Sequence, residues 1–518
     1  CSAPSMDLLE VRINAAVQMI GDWGRKVKLS FNASKTQAMV YSRKRRIPEA
    51  NFTMDGVRLS IVDHIRYLGV ILDKDLKWRK HLVHMQQKAS RIISRIISVA
   101  RNTWGLSSNV TELIYRCAVE PMVMYGAEVW QPALKFRWAQ LILSQVQRGC
   151  LLRVCKAYRT VSYEACCVLV NVLPLQNKVT ELSQIHEVKC TGVFVNDSES
   201  VSVQRKVFNN RHPAVCIDSF VDLDCQLEAS QFGIYTDGSK SEEGVGSAFV
   251  VFDHSIELHH RVYRLPYYSS VFQAELLALQ KALEYLLQTR PSPAVHIFSD
   301  SLSSLMAIRD RDSDSPLVIG IQDCLLQLRQ MQVSIKISWV KAHIGIEGNE
   351  RADQLAKSCS AEEAEVVRLD APLSFAKRII RLAERTKWND VWMSATNGSW
   401  TRKIFPSIEH RRKAGLLQLD FILTQFLSGH GKFGSYLTRF NLRTDSRCEC
   451  GEFQDPEHVI FDCHLLRHQR EDILAECDQR GMRFETASIG PLLADQHTRD
   501  LLKCLLQSAH HQLTIWEH

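Results

Sequence analysis

Four carboxylates carry the strongest chemical signal in the sequence. They are Asp237 in Thr236-Asp237-Gly238-Ser239, Glu275 in Phe272-Gln273-Ala274-Glu275, Asp300 in Phe298-Ser299-Asp300-Ser301, and Asp353 at the end of an eleven-residue run that starts at His343. Asp237 and Asp300 fall where strand-like runs end; Glu275 and Asp353 fall on helix-like runs. Acidic side chains at strand ends of an α/β sheet face the crevice where ligands bind. Carboxylates that converge repel one another and persist together only where cations neutralise them. An oxygen-only donor set selects Mg2+ or Mn2+ over Zn2+. Two such ions ~4 Å apart can activate a water and stabilise a leaving oxygen during phosphodiester cleavage. Taken singly, each acid has an ordinary reading: Asp237 as a turn former, Asp300 as a helix cap, Glu275 as a surface residue, Asp353 as a first-turn acid. Their joint order and setting carry the argument.

A second group uses softer donors. Cys448, Cys450, His458 and Cys463 follow the spacing C-x-C-x7-H-x4-C. Three thiolates and one imidazole suit a closed tetrahedral Zn2+ site. Gly451 allows the tight turn that brings the first two sulfurs to one ion. The C-x-C pair is tighter than the usual spacing, and unlinked reduced thiols are the alternative. Cys150, Cys155, Cys166 and Cys167 have no partnering His and read as core or incidental residues.

The elements that must position the acids are legible from periodicity. Residues 232–236, 246–252 and 258–265 read as three strands joined by short turns. Residues 270–288 read as a helix, 294–299 as a buried strand, 301–309 and 317–331 as helices, 333–339 as a strand and 348–357 as a last helix. A meander followed by alternating helices and strands predicts an α/β unit with a mixed sheet. Ahead of it, 8–23 has helical periodicity and 36–41, 52–59 and 64–72 read as strands. Trp78 opens a long amphipathic helix with a basic face. Residues 197–227 read as a linker, and the chain turns helical and basic again after Ala361.

Composition bounds the rest. The 518 residues are 45% hydrophobic and 23% charged, which excludes a wholly disordered chain. The net charge is +7, which permits a nucleic-acid partner without demanding one. Sixteen cysteines are too sparse for a disulfide scaffold, and reduced thiols and an intracellular setting are expected. No apolar run approaches the ~20 residues of a membrane-spanning helix. The chain opens on Cys1 just ahead of a helix, and a fragment of something longer is expected.

The four acidic blocks, in order, resemble those of a ribonuclease H domain over about 232–359, the block from His343 to Asp353 being the most specific. The resemblance implies a two-metal endonuclease that hydrolyses the RNA strand of an RNA–DNA hybrid with Mg2+, or Mn2+. Asp237 would bridge both ions, Glu275 and Asp300 would complete one site, and Asp353 would hold the ion that activates water. His343 would assist proton transfer or product release, which suits a near-neutral imidazole. Ser239, Gln273, Ser301 and Asn349 match positions that would contact the hybrid.

The flanks resemble other parts of a non-LTR (LINE-type) retrotransposon polyprotein. Trp23-Gly24, Lys28-Leu29-Ser30-Phe31-Asn32, Ser34-Lys35-Thr36 and the run from Tyr67 to Asp73 are similar to the last palm motifs of its reverse transcriptase. There Lys35 would lie near the incoming nucleotide, and Arg79, Arg91 and Arg95 would grip phosphates. The paired aspartates that polymerisation needs would precede the first helix; none stands before Val11, so polymerase activity is not expected of this chain. Gly429-His430-Gly431-Lys432-Phe433 and the Cys/His spacing resemble the zinc-binding tail of the same polyproteins, which would bind template RNA or target DNA. Arg43, Lys44, Arg45 and Arg46 read as a nuclear signal or a phosphate grip, and only the resemblance implies a nuclear setting.

The expected organisation is therefore a partial palm at 1–75, a helical thumb or connection at 76–196, a linker at 197–230, the ribonuclease H domain at 231–360, a basic helical region at 361–440, and a zinc-binding helical tail at 441–518. A silent nucleic-acid-binding remnant and a stand-alone cellular ribonuclease H are the alternatives. The intact acids disfavour the first and the flanks disfavour the second.

Overall fold

The computed structural model describes residues 1–42, 49–196, 199–209, 211, 215, 217–223, 232–253, 256–289, 294–360 and 363–516. The basic cluster Arg43, Lys44, Arg45 and Arg46 lies outside the described residues. The chain divides into two compact units. One is continuous, Gln184–Arg381; the other combines Cys1–Ser183 with Leu382–His518.

The continuous unit is built on a seven-stranded mixed sheet. Its strands are β1 (Val221–Asp222), β2 (Phe232–Lys240), β3 (Val245–Asp253), β4 (Ile256–Leu265), β5 (Ala294–Ser299), β6 (Ser334–Trp339) and β7 (Glu365–Val366). Their order across the sheet is β7-β4-β3-β2-β5-β6-β1. β2, β3 and β4 form an antiparallel meander, whereas β5 joins β2 and β6 joins β5 in parallel. Parallel neighbours need crossovers. Here they are the helices α1 (Val271–Thr289), α2 (Leu302–Arg309) and α3 (Pro316–Gln330), with α4 (Glu347–Lys357) following β6.

Alternation along β3 divides the core. Phe249 and Val251 pack with the apolar side of α1, including Leu276, Leu279 and Leu283. Ala248 and Val250 point the other way and meet Ala352, Leu355 and Ala356 of α4. Both faces of β3 are thus covered, which is why its sequence is a continuous apolar run.

Two features go beyond the sequence reading. β2 runs on to Lys240 because its pairing with β3 continues to Val245 after its pairing with β5 has ended at Thr236 and Ser299. Within 197–230, expected as a linker, Glu199–Ser202 forms a hairpin with Val193–Asn196, and β1 joins the edge of the sheet beside β6.

The other unit is mainly helical. Its first helix is Met6–Lys26, and its strands are short. Two of its hairpins turn on Asp55-Gly56 and Leu68-Gly69, with both turn residues at positive φ as a two-residue hairpin requires. The long basic-faced helix is Arg79–Val99. One apolar core runs from Val70 through Trp130, Leu151, Trp392 and Phe426 to Leu513, so the segments before and after the sheet unit fold together. Polar contacts bind the same seam. The buried Arg411 donates to the Leu169 carbonyl, and Thr160 Oγ1 lies 2.8 Å from His430 Nδ1. Among the described residues no helix is long and apolar enough to cross a membrane.

Candidate active site and metal centre

Register brings the first two aspartates together. Thr236 on β2 pairs with Ser299 on β5, so Asp237 and Asp300 follow side by side where the parallel pairing stops. Glu275 arrives from the first turns of α1. A Cβ at Gly238 would come within 2.4 Å of the Glu275 backbone nitrogen, so only glycine lets α1 approach β2 this closely. Ser247 on β3 fixes the same turn by donating to the Ala274 carbonyl at 2.7 Å. One carboxylate oxygen from each of Asp237, Glu275 and Asp300 lies within 4.8 Å of the others.

This trio is poorly compensated. Asp237 and Glu275 are 6% and 7% exposed, and one oxygen of each, Asp237 Oδ2 and Glu275 Oε2, is buried without a hydrogen-bond partner. Burial, then repulsion from Asp300 and Asp353, pushes the Asp237 carboxyl up to about 7. Burial, then repulsion from Asp237 and Asp300, pushes Glu275 up to about 9. Unpaired buried acceptors in a shared pocket are what a hard divalent cation would satisfy. The donor set fits Mg2+ or Mn2+.

Asp353 stands apart from the trio. It is half-buried on α4, and Lys357 Nζ, one turn along, lies 2.7 Å from its Oδ2. His343 is exposed on the loop between β6 and α4, at φ +55°, and is not part of the trio.

Residues 229–361 match the ribonuclease H (RNase H) family model. The middle of the chain is an RNase H domain. The chain is also distantly homologous to non-LTR retrotransposon Pol polyproteins. It is 27% identical over 203 residues to the Pol polyprotein of the type-1 retrotransposable element R1 from Bradysia coprophila, a match covering 39% of this chain and 20% of that protein. It is 31% identical over 172 residues to a putative 115 kDa protein of element R1DM from Drosophila melanogaster, covering 33% and 17%. It is 30% identical over 133 residues to the RNA-directed DNA polymerase of the mobile element jockey from Drosophila funebris, covering 25% and 14%. The chain thus spans well under half the length of these relatives.

Residues expected to meet the hybrid are divided by the RNase H geometry. Ser239 and Ser301 are half-buried, and Ser301 Oγ lies 2.8 Å from Ser304 Oγ. Asn349 is 2% exposed, and its amide donates to Asp300 Oδ2 at 3.1 Å. Gln273 is also buried, its amide donating to Gln204 and to the Asp370 carbonyl. Both amides are engaged within the RNase H unit. The role of Asn349 as the group that orients Asp300 was not read from the sequence, nor was the hydrogen bond from Trp339 Nε1 to the Asp300 carbonyl at 3.1 Å. In the other unit Lys35, Arg79, Arg91 and Arg95 are exposed, and Arg79 lies over the Trp138 ring at 5.5 Å.

The soft donors also converge. One ligand atom from each of Cys448, Cys450, His458 and Cys463 lies within 4.8 Å of the rest. The Cys448 amide donates to the Glu452 carbonyl at 2.7 Å, closing a turn that passes through Gly451 at φ +94°. Cys463 returns through a backbone bond to the His458 carbonyl, also 2.7 Å. Cys450 Sγ is 3.1 Å from His458 Nε2, and Cys448 Sγ is 3.8 Å from Cys463 Sγ. Burial pushes the Cys463 thiol up to about 12 and the Cys448 thiol upward. Those protons are what a thiophilic cation would displace. The donors fit Zn2+. Cys150, Cys155, Cys166 and Cys167 are all buried and belong to the apolar core.

Proposed function

We propose that this chain hydrolyses the RNA strand of RNA–DNA hybrids at the RNase H site, leaving a 3′-hydroxyl and a 5′-phosphate. The observation that carries this is the convergence of Asp237, Glu275 and Asp300 within 4.8 Å, with two of their buried oxygens unpartnered. Those three residues would hold two divalent ions, Mg2+ or Mn2+, with Asp353 joining them on release from Lys357. When bound, such ions make water nucleophilic near neutral pH and neutralise charge on the departing oxygen.

The chain's own groups do the rest. Asn349 holds Asp300 in one orientation. Gly238 and Ser247 keep Glu275 against β2, so the acids are in position before substrate arrives. Ser239 and Ser301 flank the acids in sequence, where a hydroxyl can meet the 2′-OH that tells RNA from DNA. His343, on its exposed loop, can deliver a proton to the 3′ oxygen as the P–O bond breaks. The Cys3His group would hold Zn2+ and the tail would contact template RNA or target DNA, while Lys35, Arg79, Arg91 and Arg95 would meet phosphates in the other unit.

The test is cleavage of a labelled hybrid with Mg2+. Asp237→Asn should lower the rate by about 10²–10³ or more while hybrid binding and zinc content stay unchanged. Equal cleavage by wild type and variant would leave only a nucleic-acid-binding reading.

A further inference from the structure

Arg470 sits on the helix Arg467–Gln479, directly after the Cys/His group, and is 5% exposed. Its Nη2 donates to the Cys463 carbonyl at 2.6 Å. Its Nη1 is buried with no hydrogen-bond partner, and no carboxylate pairs with it among the described residues. The exposed Asp462 carboxylate attracts it without pairing with it, and Cys463 would do so only as a thiolate. A guanidinium does not shed its proton in a protein. A buried cation without an anion is a heavy cost, removed only if a counter-charge lies nearby.

The Cys/His group supplies that charge in one state only. As three thiols and an imidazole it is neutral. When a divalent ion displaces three protons to solvent, three thiolates and the ion sum to −3 + 2 = −1. No electron moves in this exchange. A monovalent soft ion would leave −2 and a trivalent one 0, so one arginine matches the divalent case.

We infer that Arg470 is the built-in counter-ion of a divalent, thiophilic cation of the zinc type held by Cys448, Cys450, His458 and Cys463. The inference rests on the zinc reading proposed above and adds to it a positioning residue and a preferred ion charge. The unpartnered Nη1 is a separate mark of the loaded site, since with neutral thiols only the exposed Asp462 offsets the Arg470 charge.

The test uses the full chain and Zn2+, with affinity measured by competition against a chromophoric chelator. Arg470→Gln keeps a donor for the Cys463 carbonyl but removes the charge; it should weaken zinc binding about 10–100-fold. Arg470→Lys keeps the charge and should stay within about threefold of wild type. In a Cys450→His background the zinc complex is neutral, and Arg470→Gln should cost less than about threefold. Metal-free Arg470→Gln should unfold no earlier than metal-free wild type, whereas the zinc-loaded variant should unfold earlier than its loaded counterpart. Equal losses in both backgrounds, or a Lys variant as weak as the Gln variant, would overturn the counter-ion role and leave only a hydrogen bond. Wild type that takes up no zinc would overturn the metal site itself.

Discussion

The two donor groups solve opposite problems. In the RNase H unit the three converging acids, Asp237, Glu275 and Asp300, are far apart in sequence, and two strands and a helix assemble them. In the other unit all four donors lie between Cys448 and Cys463, and a local turn assembles them. The first group leaves buried acceptors unmatched, at Asp237 Oδ2 and Glu275 Oε2. The second leaves a buried cation unmatched, at Arg470 Nη1. A divalent ion would correct both, one because it is positive, the other because the thiolates it recruits would outweigh it. The scaffolds differ in the reverse sense. The long-range acid site stands on a continuous stretch of chain, and the short-range Cys/His site belongs to a unit made of two separated stretches.

The joint core of that second unit is the part of the contrast most easily broken. Trp392 is buried in it and donates to the Phe405 carbonyl at 2.8 Å. A Cβ at Gly398 would lie 3.3 Å from both the Trp392 ring and Ala165, a residue of the other stretch. Trp392→Ala should cost about 3–5 kcal/mol. Hydrogen exchange should quicken both in Leu382–His518 and in the helix Arg137–Val154, with the RNase H unit unchanged. Loss confined to the later stretch would mean the two do not fold as one.

The acid site should reveal itself through pH. The folded pKa values of Asp237 and Glu275, about 7 and about 9, lie above their ordinary values of 3.8 and 4.5. The folded state therefore holds protons that the unfolded state releases. The stability these groups contribute is complete below about pH 4 and is lost as pH rises through 7 and 9. The loss between pH 4 and 8 should be several kcal/mol, on the order of 10 at most. In buffer freed of Mg2+ but not of Zn2+, the melting temperature of the RNase H unit should fall across this range. Added Mg2+ should raise it, and the gain should grow with pH because the ion competes with those protons. A gain independent of pH would separate the ion from these two carboxylates.

How much of this was legible in the sequence follows the same divide. The mixed sheet was, because its strands alternate or run apolar and its helices carry clear periodicity. The convergence of the Cys/His group was, because its spacing is local. Asn349 was read as a contact to nucleic acid, since a polar residue next to an acidic motif gives no sign of which way it faces; only the packing of α4 turns it to Asp300. Arg411 stood in a basic run with Arg412 and Lys413, yet it is buried and donates to the Leu169 carbonyl, a partner from the other stretch of chain. The same holds for Gly429-His430-Gly431, whose histidine reaches Thr160. Charge runs record composition, and long-range partners are invisible to them. Arg470 has no local pattern at all.

The smallest expected effect concerns the fourth acid. Asp353 and Lys357 form an i,i+4 pair with the lysine largely exposed, a type worth about 0.3–0.5 kcal/mol. Lys357→Met should therefore barely change metal-free stability. It frees Asp353 to meet the ions, and Mg2+ affinity by calorimetry should rise about two- to threefold. Removing a positive charge would raise cation affinity by itself, so the decisive comparison is a double-mutant cycle. If the lysine acts by holding Asp353, Lys357→Met should have almost no effect once Asp353 is Asn. If it acts only as a distant charge, the rise should be the same in both backgrounds, and Asp353 would drop out of the set of ligands.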